Sequence, residues 1–210
     1  PAPVPGHRDA ANAEHRAEVA EYWGVAQLPE QPGLPAIGLF EAVRAGKIKA
    51  LWIACTNPAQ SLPNQNKVHE ALAACPFVVA QEAFFTTETC RYADLLLPAA
   101  SWGEKEGTVT NSERRVSHVR RAVSAPAEAR PDWSITCDFA RRLETLLRPG
   151  LPSLFDFADS EALFEEYKHL TAQRDLDRSG LSYALLDNQG PQQWPFAPGA
   201  RQGTARLYAD

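Results

Sequence analysis

Apolar runs and helical patterns alternate through the middle of the chain, as they do in an α/β fold. Three apolar runs, at residues 47–55, 76–82 and 94–98, predict strands that are central and mutually adjacent in one sheet, and the first is apolar enough to be buried on both faces. Helical patterns precede and separate these runs, in "LFEAVRAG", "QNKVHEALAAC" and "TTETCRYA". This order predicts a parallel sheet with flanking helices and right-handed crossovers.

The second of these helical patterns is the clearest amphipathic signal in the chain. Its apolar residues recur at i, i+3, i+4 and i+7 and predict one buried face: Val68, Ala71, Leu72 and Cys75. Two asparagines precede it, and the pattern leaves open whether Asn64 or Asn66 caps the helix.

The sequence before and after this α/β region predicts fewer strands and longer irregular segments. Residues 1–34 predict a lead-in with one polar helix at 13–22, capped by Asn12. Alternation between residues 101 and 123 predicts a hairpin with a turn at Asn111–Ser112. A further helix is expected to begin at Pro131 and Asp132, and its apolar face is predicted to consist of Trp133, Cys137, Ala140 and Leu143 or Leu147.

Prolines, glycines and glutamines dominate residues 149–210, where the pattern predicts only one good helix, at about 160–171. This segment is expected to be an irregular strap that packs on the rest of a larger protein. The predicted domains are therefore 1–34, 35–148 and 149–210.

Composition narrows the classes of protein. The 210 residues include 44% hydrophobic residues and carry a net charge of −5, which argues against a nucleic-acid binder. No apolar run reaches the roughly 18 residues of a membrane helix, so no membrane segment is predicted. Methionine is absent, which suggests an internal piece of a longer chain.

Cysteine spacing argues against a metal site within this piece. The four cysteines, Cys55, Cys75, Cys90 and Cys137, form no C-x-x-C pair. We therefore expect buried, reduced thiols and no metal ligand set.

Polar side chains follow the predicted strands at the edge where open parallel sheets bind their ligands. Thr56, Asn57 and Pro58 follow the first strand, and Gln81 and Glu82 follow the second. The third strand is followed by residues 98–105, which end at Lys105. Together these groups suit a sugar, a phosphate and a base. Taken singly, Asn57 also fits a turn, Glu82 a solvated loop acid and Lys105 a surface charge.

Other familiar motifs are missing from the sequence. No G-x-G-x-x-G occurs, which disfavours a nicotinamide dehydrogenase. The five histidines are scattered, so no nucleophilic triad is indicated and no catalytic residue is predicted. The basic cluster "RRVSHVRR" lacks interleaved aromatics and predicts a solvated or phosphate-facing hairpin.

Three segments carry a resemblance to a known family: "ALWIACTNPAQSLPN", "FVVAQEAFFTTETCRYADLLLPAASWGEKEGTVTNSERR" and "EARPDWSITCDFARRL". They resemble the molybdopterin oxidoreductases, and within that family the catalytic subunits of bacterial assimilatory nitrate reductases. The resemblance is strong over residues 35–147 and weaker in "GLSYALLDNQGPQQWPF" and "GTARLYAD".

The resemblance implies a much larger enzyme that reduces nitrate to nitrite. It implies molybdenum held by two molybdopterin guanine dinucleotides, with electrons from a [4Fe-4S] cluster bound outside this chain. It also implies a cytoplasmic protein that receives electrons from a donor protein or reductase subunit. By the same resemblance, residues 35–148 hold a molybdopterin guanine dinucleotide and the piece alone is inactive.

Cofactor contacts carry over from the family to individual positions of this sequence. They fall on Asn57, on Gln81 and Glu82, on Lys105 in "GEKEG" and on Asp132 in "PDW". Asp132 suits a bidentate contact to guanine N–H groups, and it also suits an ordinary helix N-cap, two roles that are not exclusive. Two other readings remain: a formate dehydrogenase of the same superfamily, and an electron-transfer relative such as the large iron–sulfur subunit of complex I.

Overall fold

The computed structural model describes residues 5–207. Its helices are α1 (Ala13–Tyr22), α2 (Ala36–Arg44), α3 (Pro58–Ser61), α4 (Gln65–Ala74), α5 (Asp132–Leu147), α6 (Ser160–His169) and α7 (Tyr183–Gln189). Its strands are β1 (Leu51–Ala54), β2 (Val78–Glu82), β3 (Leu95–Pro98), β4 (Gly107–Thr110), β5 (Arg115–Val119) and β6 (Gln192–Gln193).

The described chain folds into two compact units. The first unit comprises residues 33–104 and 123–138, and the second comprises 5–32, 105–122 and 139–207. The units are interleaved along the chain. The domain boundaries inferred from the sequence, 1–34, 35–148 and 149–210, therefore stay a prediction.

A three-stranded parallel sheet forms the centre of the first unit. The strand order is β1-β2-β3, with Leu51 opposite Val78 and Val79 opposite Leu95. The predicted parallel α/β fold is confirmed. The prediction that all three strands are central is wrong within the described residues, because only β2 has a partner on both sides.

β1 also starts four residues later than predicted. Residues 47–50 belong to the exit from α2, where Gly46 has φ +72° and the Lys47 N–H donates to the Ala42 carbonyl. The ladder begins only when the Leu51 N–H donates to the Phe77 carbonyl. Residues 47–50 therefore form the turn that ends α2, and they are not paired with a neighbouring strand.

Helices α2 and α4 supply the core beneath this sheet. The predicted face of α4 is confirmed, since Val68, Ala71, Leu72 and Cys75 are all buried. Asn64 does occupy the N-cap position of α4, but it has φ +56° and its side chain makes no capping hydrogen bond. The segment predicted as a short helix at 86–93 is a 3₁₀ turn at Thr89–Tyr92.

Helix α5 begins at Asp132 as predicted, and Ile135 and Cys137 are buried. Trp133 and Ala140 of the predicted apolar face are half-buried, and the prediction is wrong only at Leu143 and Leu147. Leu143 is 40% exposed and Leu147 is 71% exposed, because the described part of the second unit leaves that side of the helix uncovered.

The second unit is built on the predicted hairpin, which is confirmed. β4 pairs with β5 in antiparallel fashion, and Asn111 Oδ1 holds the turn by accepting from the N–H groups of Glu113 and Arg115. β6 adds to β5, and the core of the unit consists of Val116, Phe164, Leu181, Tyr183, Leu186 and Phe196.

The tail after α6 is more regular than predicted. It contains α7, whose N-cap Ser182 accepts from the Leu185 N–H, and it contains β6. Gly180 permits the close packing here, since a Cβ at this position would lie 2.4 Å from the Ala197 carbonyl oxygen. A second helix was missed because polar residues mask its short apolar face.

Two smaller predictions complete the fold. Asn12 caps α1 as expected, accepting from the N–H groups of Glu14 and His15. Cys75, Cys90 and Cys137 are buried and form no disulfide among the described residues, but Cys55 is exposed, so the prediction of a buried thiol is wrong there. Within residues 5–207, no helix combines the length and the apolar character needed to cross a bilayer.

Candidate functional site

The carboxyl ends of the parallel strands bring Gln81 and Asp132 together, although 51 positions separate them. Gln81 is the fourth residue of β2, and Asp132 is the first residue of α5. Gln81 Nε2 donates to Asp132 Oδ1 at 2.8 Å, and the Cys55 thiol donates to the same oxygen at 3.4 Å. Asp132 is therefore tied to the ends of both β1 and β2, in the first turn of a helix whose dipole favours a carboxylate.

The backbone places Asp132 one position inside the helix. Pro131 occupies the N-cap position, because its carbonyl accepts from the N–H groups of Ser134 and Ile135. The alternative reading of Asp132 as the N-cap residue is therefore wrong by one position.

Gln81 carries an unused acceptor at this edge. The residue is 2% exposed, and its Oε1 is buried without a hydrogen-bond partner among residues 5–207. Leaving such an acceptor unpaired costs about 1–3 kcal/mol. A ligand N–H group that reached this oxygen would remove that cost.

Asn57 has no hydrogen-bonding capacity left in this structure. Its Oδ1 accepts from the Thr89 N–H at 3.2 Å and from the Thr89 hydroxyl at 2.6 Å. Its Nδ2 donates to Glu88 Oε2 at 2.8 Å and to Gln60 Oε1 at 3.1 Å. Since a primary amide offers two donors and two lone pairs, all four are occupied. Asn57 joins the end of β1 to the 3₁₀ turn, and its contact with a cofactor stays a prediction.

The Asn57 amide also affects the charge of its neighbour. Its hydrogen bond to Glu88 is the largest cause that lowers the pKa of this carboxyl. Glu88 is therefore held as a carboxylate beside the loop that follows β1.

The neighbours of Asn57 have different environments. Thr56 is exposed. Pro58 is buried and starts α3, where its missing N–H and its restricted φ favour the first helical position. The ring of Pro58 thus restricts the backbone where the loop after β1 enters α3.

The Glu82 side chain is hydrogen-bonded to the backbone of the two residues that follow it. Its Oε1 accepts from the N–H groups of Ala83 and Phe84, at 2.8 and 3.3 Å. Two aromatic side chains follow it, Phe84 at 67% exposure and Phe85 at 76%. Glu82 thus fixes the backbone just beyond β2, and its contact with a cofactor stays a prediction.

Lys105 is half-buried and belongs to the second unit, as the first residue of its segment 105–122. The other predicted cofactor contacts belong to the first unit: Asn57, Gln81, Glu82 and Asp132. The role of Lys105 at a shared cofactor site therefore stays a prediction.

Three residues of this edge were missed by sequence reasoning. Glu88 and Thr89 hold Asn57, and the Cys55 thiol contacts Asp132. No local signal pairs Asn57 with residues more than 30 positions away. The left-handed φ of Cys55, +59°, could be anticipated only from a tight turn after β1.

Metal-ligating side chains do not gather here. Across residues 5–207, no group of three His, Cys, Asp or Glu side chains has an arrangement that would hold a metal ion.

The parallel sheet and its polar edge agree with a family assignment. The chain belongs to the molybdopterin oxidoreductase family, whose model matches residues 5–142. It is similar to a nitrate reductase of Synechocystis, with 43% identity over 99% of this chain and 29% of the relative. It is also similar to the assimilatory nitrate reductase catalytic subunit of Bacillus subtilis, with 39% identity over 99% of this chain and 28% of the relative.

A solved structure supports the fold alone. The acetylene hydratase of Pelobacter acetylenicus matches 74% of this chain and 20% of its own length, with a TM-score of 0.57 and 22% identity. The chain thus spans less than a third of the length of the relatives named here.

Proposed function

We propose that this chain is part of a molybdenum-dependent nitrate reductase of the assimilatory kind, which converts nitrate to nitrite. The identity to nitrate reductases over 99% of the chain supports this activity for the whole protein. We further propose that the parent enzyme is cytoplasmic and receives its electrons from a donor protein or reductase subunit.

Within that enzyme, this chain holds the guanosine end of a molybdopterin guanine dinucleotide. The observation that carries this role is the buried, unpartnered Gln81 Oε1 beside the Asp132 carboxylate. Guanine presents N–H groups along one edge, and an amide oxygen next to a carboxylate matches them. The residues present at this edge therefore fit the group.

When bound, the molybdenum cofactor supplies the two-electron redox chemistry of nitrate reduction. The residues of this chain bind and orient its nucleotide end. Gln81 and Asp132 accept from the base, and Glu82 holds the loop beyond β2 through the N–H groups of Ala83 and Phe84. A [4Fe-4S] cluster would be bound outside this chain, and the 210 residues alone are expected to be inactive.

The test is the cofactor content of the full-length enzyme carrying Gln81→Met or Asp132→Ser. Both changes remove an acceptor for the base, and Gln81→Met nearly conserves side-chain volume. A lost hydrogen bond to the Asp132 carboxylate costs about 1.5–3 kcal/mol, so Asp132→Ser should lower affinity roughly ten- to a hundred-fold. A lost bond to the neutral Gln81 amide costs about 0.5–1.5 kcal/mol, so Gln81→Met should lower affinity roughly two- to ten-fold. Molybdenum and acid-released GMP per protein should fall together, while Gln202→Met on the exposed surface should leave both unchanged.

Lys105→Ala tests the predicted cofactor contact of Lys105 in the same way. It should lower molybdenum and GMP content by a similar factor if Lys105 neutralises an anionic group. Full GMP content in all three variants would contradict the guanosine role without touching the assignment as a nitrate reductase. Turnover of formate in place of nitrate by the wild-type enzyme would contradict the latter.

A further inference from the structure

Arg178, in the link between α6 and α7, has an unusual environment for a charged side chain. Its Cζ lies 5.8 Å from the centroid of the Tyr167 ring and 5.3 Å from that of Trp194. Burial lowers the pKa of this guanidinium, with a smaller opposing effect of Tyr167. A charge removed from water in this way needs a compensating partner.

The described residues do not supply that partner. Arg178 Nε is buried without a hydrogen-bond acceptor among residues 5–207. Other arginines of the same unit are satisfied: Arg174 Nε donates to the Gly6 carbonyl at 2.7 Å, and Arg8 Nε donates to Glu18 at 2.7 Å. Arg178 therefore differs from its neighbours in lacking an acceptor for this N–H group.

A second unpartnered donor belongs to the same pair of stacked side chains. Trp194 Nε1 is also buried without an acceptor among residues 5–207. The ring faces of Trp194 carry two guanidinium groups, those of Arg178 at 5.3 Å and Arg114 at 5.4 Å. An aromatic face attracts a cation, but it is a poor acceptor for an N–H group. In the described part of the chain, the N–H groups of Arg178 Nε and Trp194 Nε1 thus have no acceptor, and no anionic group is seen to balance the charge of Arg178.

We propose that Arg178 and Trp194 bind a small, planar, monovalent oxyanion, of the class to which nitrate, formate and bicarbonate belong. Arg114 already donates to the carbonyls of Trp194, Thr204 and Ala205. Arg178 is therefore the guanidinium left to bind the anion, and its single positive charge favours a monovalent anion over sulfate. The planar donor fork of arginine matches a planar oxyanion. Water would satisfy the N–H groups but would leave the charge uncompensated. The site requires neither molybdenum nor the proposed guanosine contact.

Crystals of the wild-type full-length protein soaked in bromide give a direct test. Bromide is a monovalent stand-in that is located by its anomalous scattering. We expect a peak within about 3.5 Å of both Arg178 Nε and Trp194 Nε1, a distance appropriate to an N–H group and an anion. A water molecule in that place, or no density, would overturn the proposal.

Thermal unfolding in increasing nitrate or formate tests binding in solution. Wild-type protein should show a saturable rise in melting temperature of about 2–4 °C, and sulfate at equal ionic strength should not. Arg178→Gln should lose the rise and Arg178→Lys should keep only part of it, because lysine lacks the planar fork. The exposed Arg201→Gln is the matched control and should behave as the wild type.

Nitrate bound at a catalytic centre would raise the melting temperature of the wild type and of all the variants alike. The part of the rise that is lost when Arg178 is replaced is therefore the measure of binding at the proposed site. Equal titrations for the wild type and both Arg178 variants would mean an adventitious ion only, even with a bromide peak, and would overturn the proposal. If Arg178→Gln does not fold, the lysine variant and the wild-type bromide experiment still decide the outcome.

Discussion

Replacement of Asn57 tests whether this residue locks the loop after β1 or mainly binds a ligand. Asn57→Ala removes the acceptor of two donors on Thr89, a residue that is 2% exposed. An unpaired buried donor costs about 1–3 kcal/mol, and the Thr89 hydroxyl can turn elsewhere while its N–H group cannot. The free energy of local opening should therefore fall by about 1–3 kcal/mol.

Amide hydrogen exchange of residues 83–92 in the full-length protein measures this opening. Protection of these amides should fall about 5- to 140-fold in Asn57→Ala. Asn57→Asp keeps both acceptors for Thr89 but places a second carboxylate beside Glu88, whose oxygen now lies 2.8 Å from the amide nitrogen. It should therefore also lose protection, and the double variant with Glu88→Gln should recover it. Unchanged protection in Asn57→Ala, with loss of molybdenum and GMP, would refute the locking role.

Three further predictions concern the second unit. Gly180→Ala should lower the melting temperature of the full-length protein by several degrees, because the new Cβ would lie 2.4 Å from the Ala197 carbonyl oxygen. An unchanged melting temperature would show that the backbone around residue 197 can move to accommodate a methyl group. Phe196→Ala should cost about 3–5 kcal/mol of unfolding free energy in urea, because this side chain is 1% exposed, and a loss below about 1 kcal/mol would contradict its place in the core. The hydrogen bond from His118 is the largest cause that lowers the pKa of Asp187, so the stability it contributes is present above pH 3.8 and is lost as the pH falls through the lowered value. Asp187→Asn should thus be less stable than the wild type at about pH 7, and the difference should shrink as the pH falls below 3.8 through the lowered pKa. A difference that does not change with pH would count against this hydrogen bond.

Local patterns were enough to predict the elements that depend on neighbours in the chain. The spacing of Val68, Ala71 and Leu72 predicted the buried face of α4, since a helix repeats about every 3.6 residues whatever surrounds it. Asn12 and the turn at Asn111 were likewise predictable, because each side chain bonds to backbone groups within four positions. The parallel order of the strands followed from the helical connections between them.

Tertiary structure decided how the side chains at the strand ends are used. The sequence predicted that Asn57, Gln81 and Asp132 lie at one edge of the sheet. It did not show which of their hydrogen-bonding groups are already occupied. Asn57 is saturated by partners more than 30 positions away, whereas Gln81 meets Asp132 across 51 positions and keeps a buried acceptor unpaired among the described residues. Hydrogen bonds across such separations depend on how the elements pack, and no repeat in the local sequence encodes them. For the same reason the exposure of Leu147, on a face that the helical period predicts as buried, became apparent only from the packing around it.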